Sequence, residues 1–433
     1  MNNTDISELF AWEALDSRGT PTVACEVVLA GGGRGTAIVP SGASTGTHEA
    51  VELRDGGERY GGRGVNAAVA NVVGPLADAV RGRDATDQAD IDAAIRRADG
   101  TADLSALGAN AALAISIANV KAAADAAGEP LYSYVAEAGA EPLLPLPMVN
   151  IISGGAHAGR AIDVQDFLVV PVGASSFTEA IDVAWRVRRG TAAVAEERGY
   201  NVALVADEGG LAAPLPSNRS ALELLATGIE RAGLQLGTDA AIAIDVAATE
   251  FYNAEKGRYE LASEGRELTS DELVEELRSW CADFPIVSIE DVLAEDDWDN
   301  WTTGTSTLAK VQLLGDDLFV TNSTRLSRGI ETGAANAVLV KPNQVGTLSD
   351  AREVVRAAQS ARYATVLSAR SGETEDSWLA DLAVGWRTGQ IKVGSTMRSE
   401  RTAKWNRLLE IEARLGARAG YAGAAALSPN PGI

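Results

Sequence analysis

Asn336-Ala337-Val338-Leu339-Val340-Lys341-Pro342-Asn343-Gln344 is an apolar run that stops at a lysine and then a proline. Its length and its turn boundary predict a buried strand. An ammonium at the mouth of such a strand is costly unless it is paired or neutralised. Taken alone, it reads as well as a lysine snorkelling to solvent. The neighbours decide between the two. Residues 241–244 lead to Asp245, 286–289 to Glu290 and 311–315 to Asp316. Residues 364–367 run into Ser368-Ala369-Arg370-Ser371, and the next such stretch is Gln390-Ile391-Lys392. From Glu290 onward the charged ends recur at intervals of roughly 22–29 residues, with helical patterning between them. A (β/α)8 barrel spends about 30 residues per unit and carries its site at the C-terminal strand ends. Three carboxylates, two lysines and an arginine therefore converge on one mouth.

The chain has 433 residues, too many for one ordinary core, so a large and a smaller domain are expected. Hydrophobic content of 46% and charged content of 22% belong to a globular protein. A formal net charge of −23 argues against nucleic acid and anionic membrane surfaces as partners. An anionic substrate would need a local basic site or bound cations. Cys25 and Cys281 lie far apart in apolar segments and read as reduced core residues in a reducing compartment. The first residues carry neither a basic nor an apolar leader segment, and no apolar run is long enough to span a bilayer, so a cytoplasmic protein is expected.

Outward from the barrel, residues 9–29 alternate apolar and polar, and Gly31-Gly32-Gly33 separates them from a second strand at 36–39. Pro40-Ser41-Gly42-Ala43-Ser44-Thr45-Gly46-Thr47-His48-Glu49 suits a mobile loop that closes on an anion or metal, or a plain surface turn. Residues 66–82 and 110–128 read as alanine-rich helices. Residues 1–140 thus form an α+β unit, and the proline-punctuated link at 141–147 opens the barrel, 141–433. There, 147–152 and 163–170 are adjacent strands with no helix between them. Ser176-Phe177-Thr178-Glu179 and Thr269-Ser270-Asp271-Glu272 are capping boxes that open helices to about 198 and 282. Further helices fit 218–232, 323–332, 349–361, 375–387 and 401–415.

Asp245, Glu290 and Asp316 on separate strand ends suit Mg2+, a hard cation that prefers oxygen ligands. The alternative is a buried network in which they pair with Lys341, Lys392 and Arg370. A lysine near bound cations should have its pKa lowered toward that of a general base. Arg370 and Ser371 can grip a phosphate. Asp166 and Glu208 can protonate a leaving hydroxyl, or be solvated loop carboxylates. His157, in a glycine-rich turn, reads either as a ligand contact or as a structural hydrogen bond.

The chain resembles an enolase from near residue 10 to near residue 423. The resemblance rests on Leu15-Asp16-Ser17-Arg18-Gly19, Pro40-Ser41-Gly42-Ala43-Ser44-Thr45-Gly46, Asp207-Glu208-Gly209-Gly210 and Ser288-Ile289-Glu290-Asp291. It continues in the runs 315–322, Asn343-Gln344-Val345-Gly346-Thr347-Leu348, and 370–376. It implies a barrel with an irregular ββαα start and a site with one or two Mg2+ and a base. By that resemblance Asp245, Glu290 and Asp316 hold the first Mg2+, and Ser44 helps to bind a second. Lys341 takes the C2 proton, Lys392 lies against the substrate carboxylate, and Arg370 and Ser371 hold the phosphate. Glu208, with Asp166, serves the C3 hydroxyl, while His157 and Gln165 line the pocket. The family's assemblies imply a homodimer or octamer of dimers, with Arg18 in the segment that faces the partner.

The chain departs from the family at the pocket wall. Ala369 stands where members usually carry a histidine, and Asp166 where they carry a glutamate. Ser153 and Ala156 replace an asparagine and a serine, and Leu211 a phenylalanine. The departures spare the metal ligands and the base. They favour a specialised paralogue similar to carboxyphosphonoenolpyruvate synthase of phosphonate and phosphinate antibiotic pathways. The other readings are an ordinary enolase converting 2-phosphoglycerate to phosphoenolpyruvate, and a non-catalytic scaffold built on the fold.

Overall fold

The computed structural model describes residues 2–42 and 46–428. It opens with a three-stranded antiparallel meander, Ile6–Leu15, Pro21–Leu29 and Arg34–Ile38. The alternation over 9–29 is thus two strands, not one. The break comes at Asp16, whose carboxylate accepts the N–H groups of Arg18 at 2.8 Å and Thr20 at 2.9 Å. That turn needs a left-handed residue, and Gly19 supplies it at φ 72°.

Helix Ala109–Ala127 packs on the meander and ends at Gly128 in the left-handed conformation. A side chain at Gly35 would run into the carbonyl of Ala118, so this glycine sets how closely strand and helix approach. The helix expected over 66–82 is broken. It runs Asn66–Asn71, passes through a wide turn at Val72–Leu76 and resumes over Ala77–Val80. Pro75 has no N–H to donate, and Gly74 leaves helical geometry. Helix Gln88–Asp99 was not foreseen.

The barrel closes through eight strands: Leu146–Ser153, Asp166–Val170, Ala241–Asp245, Ile286–Glu290, Gln312–Gly315, Ala337–Val340, Ala364–Ser368 and Gly389–Gly394. The second strand is antiparallel to both neighbours, and the other pairings are parallel. Helices Phe177–Glu197 and Asn218–Arg231 follow it without an intervening strand, so the barrel starts ββαα as the resemblance implies. Thr269 and Glu272 form a complete capping box. At the other site Ser176 caps as expected, but the Glu179 carboxylate turns to Ser175 instead of closing the box.

Leu146, Met148, Leu168, Leu314, Leu339 and Val366 belong to the cluster that fills the barrel interior. The barrel is therefore a packed core, open to chemistry only at its mouth. The meander side docks there through paired backbone bonds between Ser41 and Gly372, at 2.8 and 3.0 Å. Lys121 adds an ion pair to Asp376 at 3.0 Å. Cys25 is a core thiol as expected, whereas Cys281 is only half-buried; both are free.

Candidate active site

Parallel strands present their last residues at the mouth, and the register sets these residues side by side. Asp245 is aligned with Glu290, and Ser368 with Lys392. Because the second strand runs backwards, its first residue reaches the same end, where Asp166 faces Asp245. Gln165, one residue earlier, donates to Asp245 at 3.2 Å.

The ammonium of Lys392 lies 2.7 Å from Asp245 Oδ2 and 2.7 Å from Glu290 Oε2. Lys341 pairs with Asp316, whose other oxygen accepts Gln344 Nε2 at 2.9 Å. Asp245, Glu290, Asp316 and Lys392 are all buried. Burial works to lower both lysines, but the facing carboxylates outweigh it and raise both. The expected lowering of Lys341 is thus absent while Asp316 is its partner. A cation that took Asp316 as a ligand would remove that partner.

The three carboxylates suit a hard cation. They offer only oxygen donors from consecutive strands. Glu290 Oε1 is buried and has no hydrogen-bond partner among the described residues. Burial and the charge of Asp245 push the Glu290 carboxyl well above its ordinary range, the repulsion that a bound cation would relieve. Asp291, not singled out from sequence, accepts the N–H groups of Asp316 at 2.9 Å and Asp317 at 2.8 Å. It shapes the loop that presents Asp316.

A second cluster faces these groups. Ligand-capable atoms of His157, Asp166 and Glu208 all lie within 4.8 Å of one another. Asp166 is fully committed: Oδ1 accepts from Asn150 Nδ2 and, at 2.8 Å, from Ser153 Oγ, while Oδ2 lies 3.0 Å from His157 Nδ1. Burial works to lower His157, yet Asp166 carries it up to about 9. Burial pushes Glu208 up, but Arg401 and His157 outweigh it and keep Glu208 ionised. Asn150 and Arg401 were missed from sequence, because they read as parts of an apolar strand and a helix, whereas Ser153 stood out only as a departure at the pocket wall.

Arg370 is buried, and its guanidinium is gripped by Glu49, with Nη1 2.9 Å from Oε2 and Nη2 3.3 Å from Oε1. Ser371 Oγ lies 3.4 Å from Arg18 Nη1. Arg18 also donates to Asp16 at 2.9 Å and to Ser41 Oγ at 2.8 Å, so its guanidinium bonds within its own chain. Ala369 is buried beside them. Ser44 lies outside the described residues, but the far end of its loop is in place. Thr47 Oγ1 donates to Glu295 at 2.6 Å, and His48 Nε2 lies 3.2 Å from Asp296.

Such a mouth, with lysines against paired carboxylates and a buried arginine nearby, has the means to move a proton and to stabilise the charge left behind. Family models narrow the class. The enolase N-terminal domain matches residues 6–135, and the enolase C-terminal TIM barrel domain matches residues 141–430. The chain belongs to the enolase family and is an enolase-type lyase. No helix among the described residues is long and apolar enough to cross a membrane.

Proposed function

We propose that the chain carries out Mg2+-assisted carbon–oxygen lyase chemistry on 2-phosphoglycerate- or phosphoenolpyruvate-type substrates. Within that chemistry we propose a specialised paralogue of the carboxyphosphonoenolpyruvate synthase kind. The observation that carries the chemistry is the pairing of Lys341 and Lys392 with three buried carboxylates at one barrel mouth. Lys341 takes the proton at C2, and Lys392 neutralises the substrate carboxylate. Arg370 and Ser371 hold the phosphate. Asp245, Glu290 and Asp316 would hold the first Mg2+, and Ser44 would contribute to a second. Bound Mg2+ supplies charge stabilisation as that proton leaves. Glu208, once protonated in the bound complex, gives that proton to the C3 hydroxyl, which leaves as water. Asp166 acts on it through His157, and Gln165 holds Asp245 in place.

The commitment of Asp166 to three neighbours, together with Ala369 at the pocket wall, supports the specialised reading. The intact lysines and acids support the ordinary enolase reading and oppose a scaffold. A homodimer or octamer of dimers in the cytoplasm, with no nucleic acid or membrane partner, completes the proposal.

The test is formation of phosphoenolpyruvate from 2-phosphoglycerate with Mg2+, followed by ultraviolet absorbance, with Lys341→Ala as control. We expect slow or no formation, with Mg2+ and phosphoenolpyruvate still bound. Rapid formation that Lys341→Ala abolishes would make the chain an ordinary enolase. Failure to bind Mg2+ at all would leave only the scaffold.

A further inference from the structure

Arginine grips phosphate with a fork of parallel donors. In this structure a carboxylate from the chain itself sits in that fork. Glu49 bonds Arg370 through both oxygens, at 2.9 and 3.3 Å, and the two side chains are 7% and 3% exposed. Glu49 is held in place by its own turn. Its N–H donates to the Gly46 carbonyl at 3.2 Å, and its Oε1 accepts the Gly46 N–H at 3.0 Å. Gln344 connects this pair to the acids of the mouth, with Nε2 2.9 Å from Asp316 and 3.4 Å from Glu49. The next residue, Ala50, is fixed to the Gln344 carbonyl at 2.8 Å. The turn therefore has a firm downstream hinge and a charged tip.

Separating a buried ion pair without a replacement leaves two uncompensated charges, which is strongly unfavourable. A ligand can displace Glu49 only if it brings an oxyanion of its own. Coulomb attraction scales with charge, so a phosphoryl group near −2 outcompetes a carboxylate where a second carboxylate only matches it. We propose that Glu49 is the built-in occupant of the Arg370 seat, exchanged for the ligand's dianionic group on binding. It thereby selects phosphoryl- or phosphonyl-bearing ligands over simple carboxylates and frees the Gly46 N–H from the Glu49 carboxylate. This rests on the reading that Arg370 holds the substrate phosphate.

Calorimetry on the full chain with Mg2+ tests it, using inorganic phosphate and phosphoenolpyruvate as probes. Glu49→Gln removes the competing charge and keeps the shape. It should bind inorganic phosphate about tenfold more tightly or better. Equal or weaker binding would mean that Glu49 orients the arginine instead, and the exchange is wrong. Arg370→Ala separates the two ideas. If it leaves phosphoenolpyruvate binding unchanged, the assignment of the phosphate seat fails, whatever Glu49 does. Amide exchange in the unmodified protein gives a readout that no variant's folding can spoil. Phosphate should speed exchange at Gly46, whose N–H loses its acceptor. An unchanged or slowed rate there would overturn the proposal.

Discussion

Lys341 is the residue on which the chemistry depends, and its removal should be felt in rate before stability. Lys341→Ala should lower turnover by about 10²-fold or more, the usual contribution of a general base. Exchange of the C2 hydrogen of 2-phosphoglycerate with solvent should be lost with it. Preserved exchange would move the base elsewhere. Lys341, Lys392, Asp245, Glu290, Asp316 and Arg370 were legible because a parallel strand delivers its last residue to the mouth. Glu49 was not legible, because its partner lies 321 residues away. The role of Asp166 was half legible: the residue stood out, but its three partners depend on an antiparallel strand that apolar patterning does not reveal. The Asp166–His157 pair has a pH signature. The imidazole is raised from 6.5 to about 9. A group raised in the folded state stabilises below its unfolded value and loses that contribution as pH climbs through the folded one. The stability difference between the parent and His157→Gln should therefore be full below about pH 6.5 and fade through about 9. Its size should be on the order of 3 kcal/mol at most. Urea melts across that range measure it, and a difference that grows with pH would contradict the pairing. Only two histidines are present, so NMR can follow His157 directly. Asp166→Asn should lower its titration, because burial then works against the charged ring with its main counter-charge gone.

Elements fold as sequence predicts where one local rule dominates, and differ where packing overrides it. The capped helices came out nearly as read, and the strands from 286 onward and the helices from 323 onward matched the barrel. Helix Trp298–Thr307 was invisible, since threonine, serine and glycine are weak helix formers. The structure shows how it persists. Thr302, Thr303, Thr305, Ser306 and Thr307 turn their hydroxyls back to the carbonyl four residues earlier. Buried Trp298 and Trp301 anchor the helix. The paired helices of the ββαα start depend on something equally silent in hydropathy. Gly190 and Gly228 let their backbones touch, and any side chain at Gly228 would collide with Thr191. Gly228→Val should destabilise by about 1–3 kcal/mol, the ordinary cost of overpacking. Thr269→Ala, which breaks a complete cap, should cost about 1 kcal/mol. Chemical denaturation separates the two, and a milder effect at Gly228 than at Thr269 would show that the helix pair can slide apart.

At the scale of the whole molecule, three exposed apolar side chains gather on one face. Leu15 is 53% exposed, Trp185 50% and Met397 44%. They adjoin one another through their neighbours. Arg398 donates to the Ser17 carbonyl at 2.8 Å, which ties the meander's first turn to the segment after the last barrel strand. Arg188 reaches Met397 Sδ at 3.4 Å, which ties that segment to helix Phe177–Glu197, where Arg189 covers Trp185. The face thus joins the meander, the C-terminal segment and a barrel helix, three parts far apart in sequence. Clustered exposed apolar groups mark interaction sites, and an isologous pair buries the same patch twice. With a net charge of −23, random association is opposed, so two copies would need a specific match to meet. A central tryptophan is the usual anchor of such a contact, worth about 2 kcal/mol or more. Trp185→Glu should therefore shift sedimentation at micromolar concentration from a dimer, or an octamer of dimers, toward smaller species, with the circular dichroism unchanged. If the mass does not change, Trp185 lies outside the contact. If the unmodified chain itself sediments as a monomer, the proposed assembly is wrong and the apolar face needs another partner.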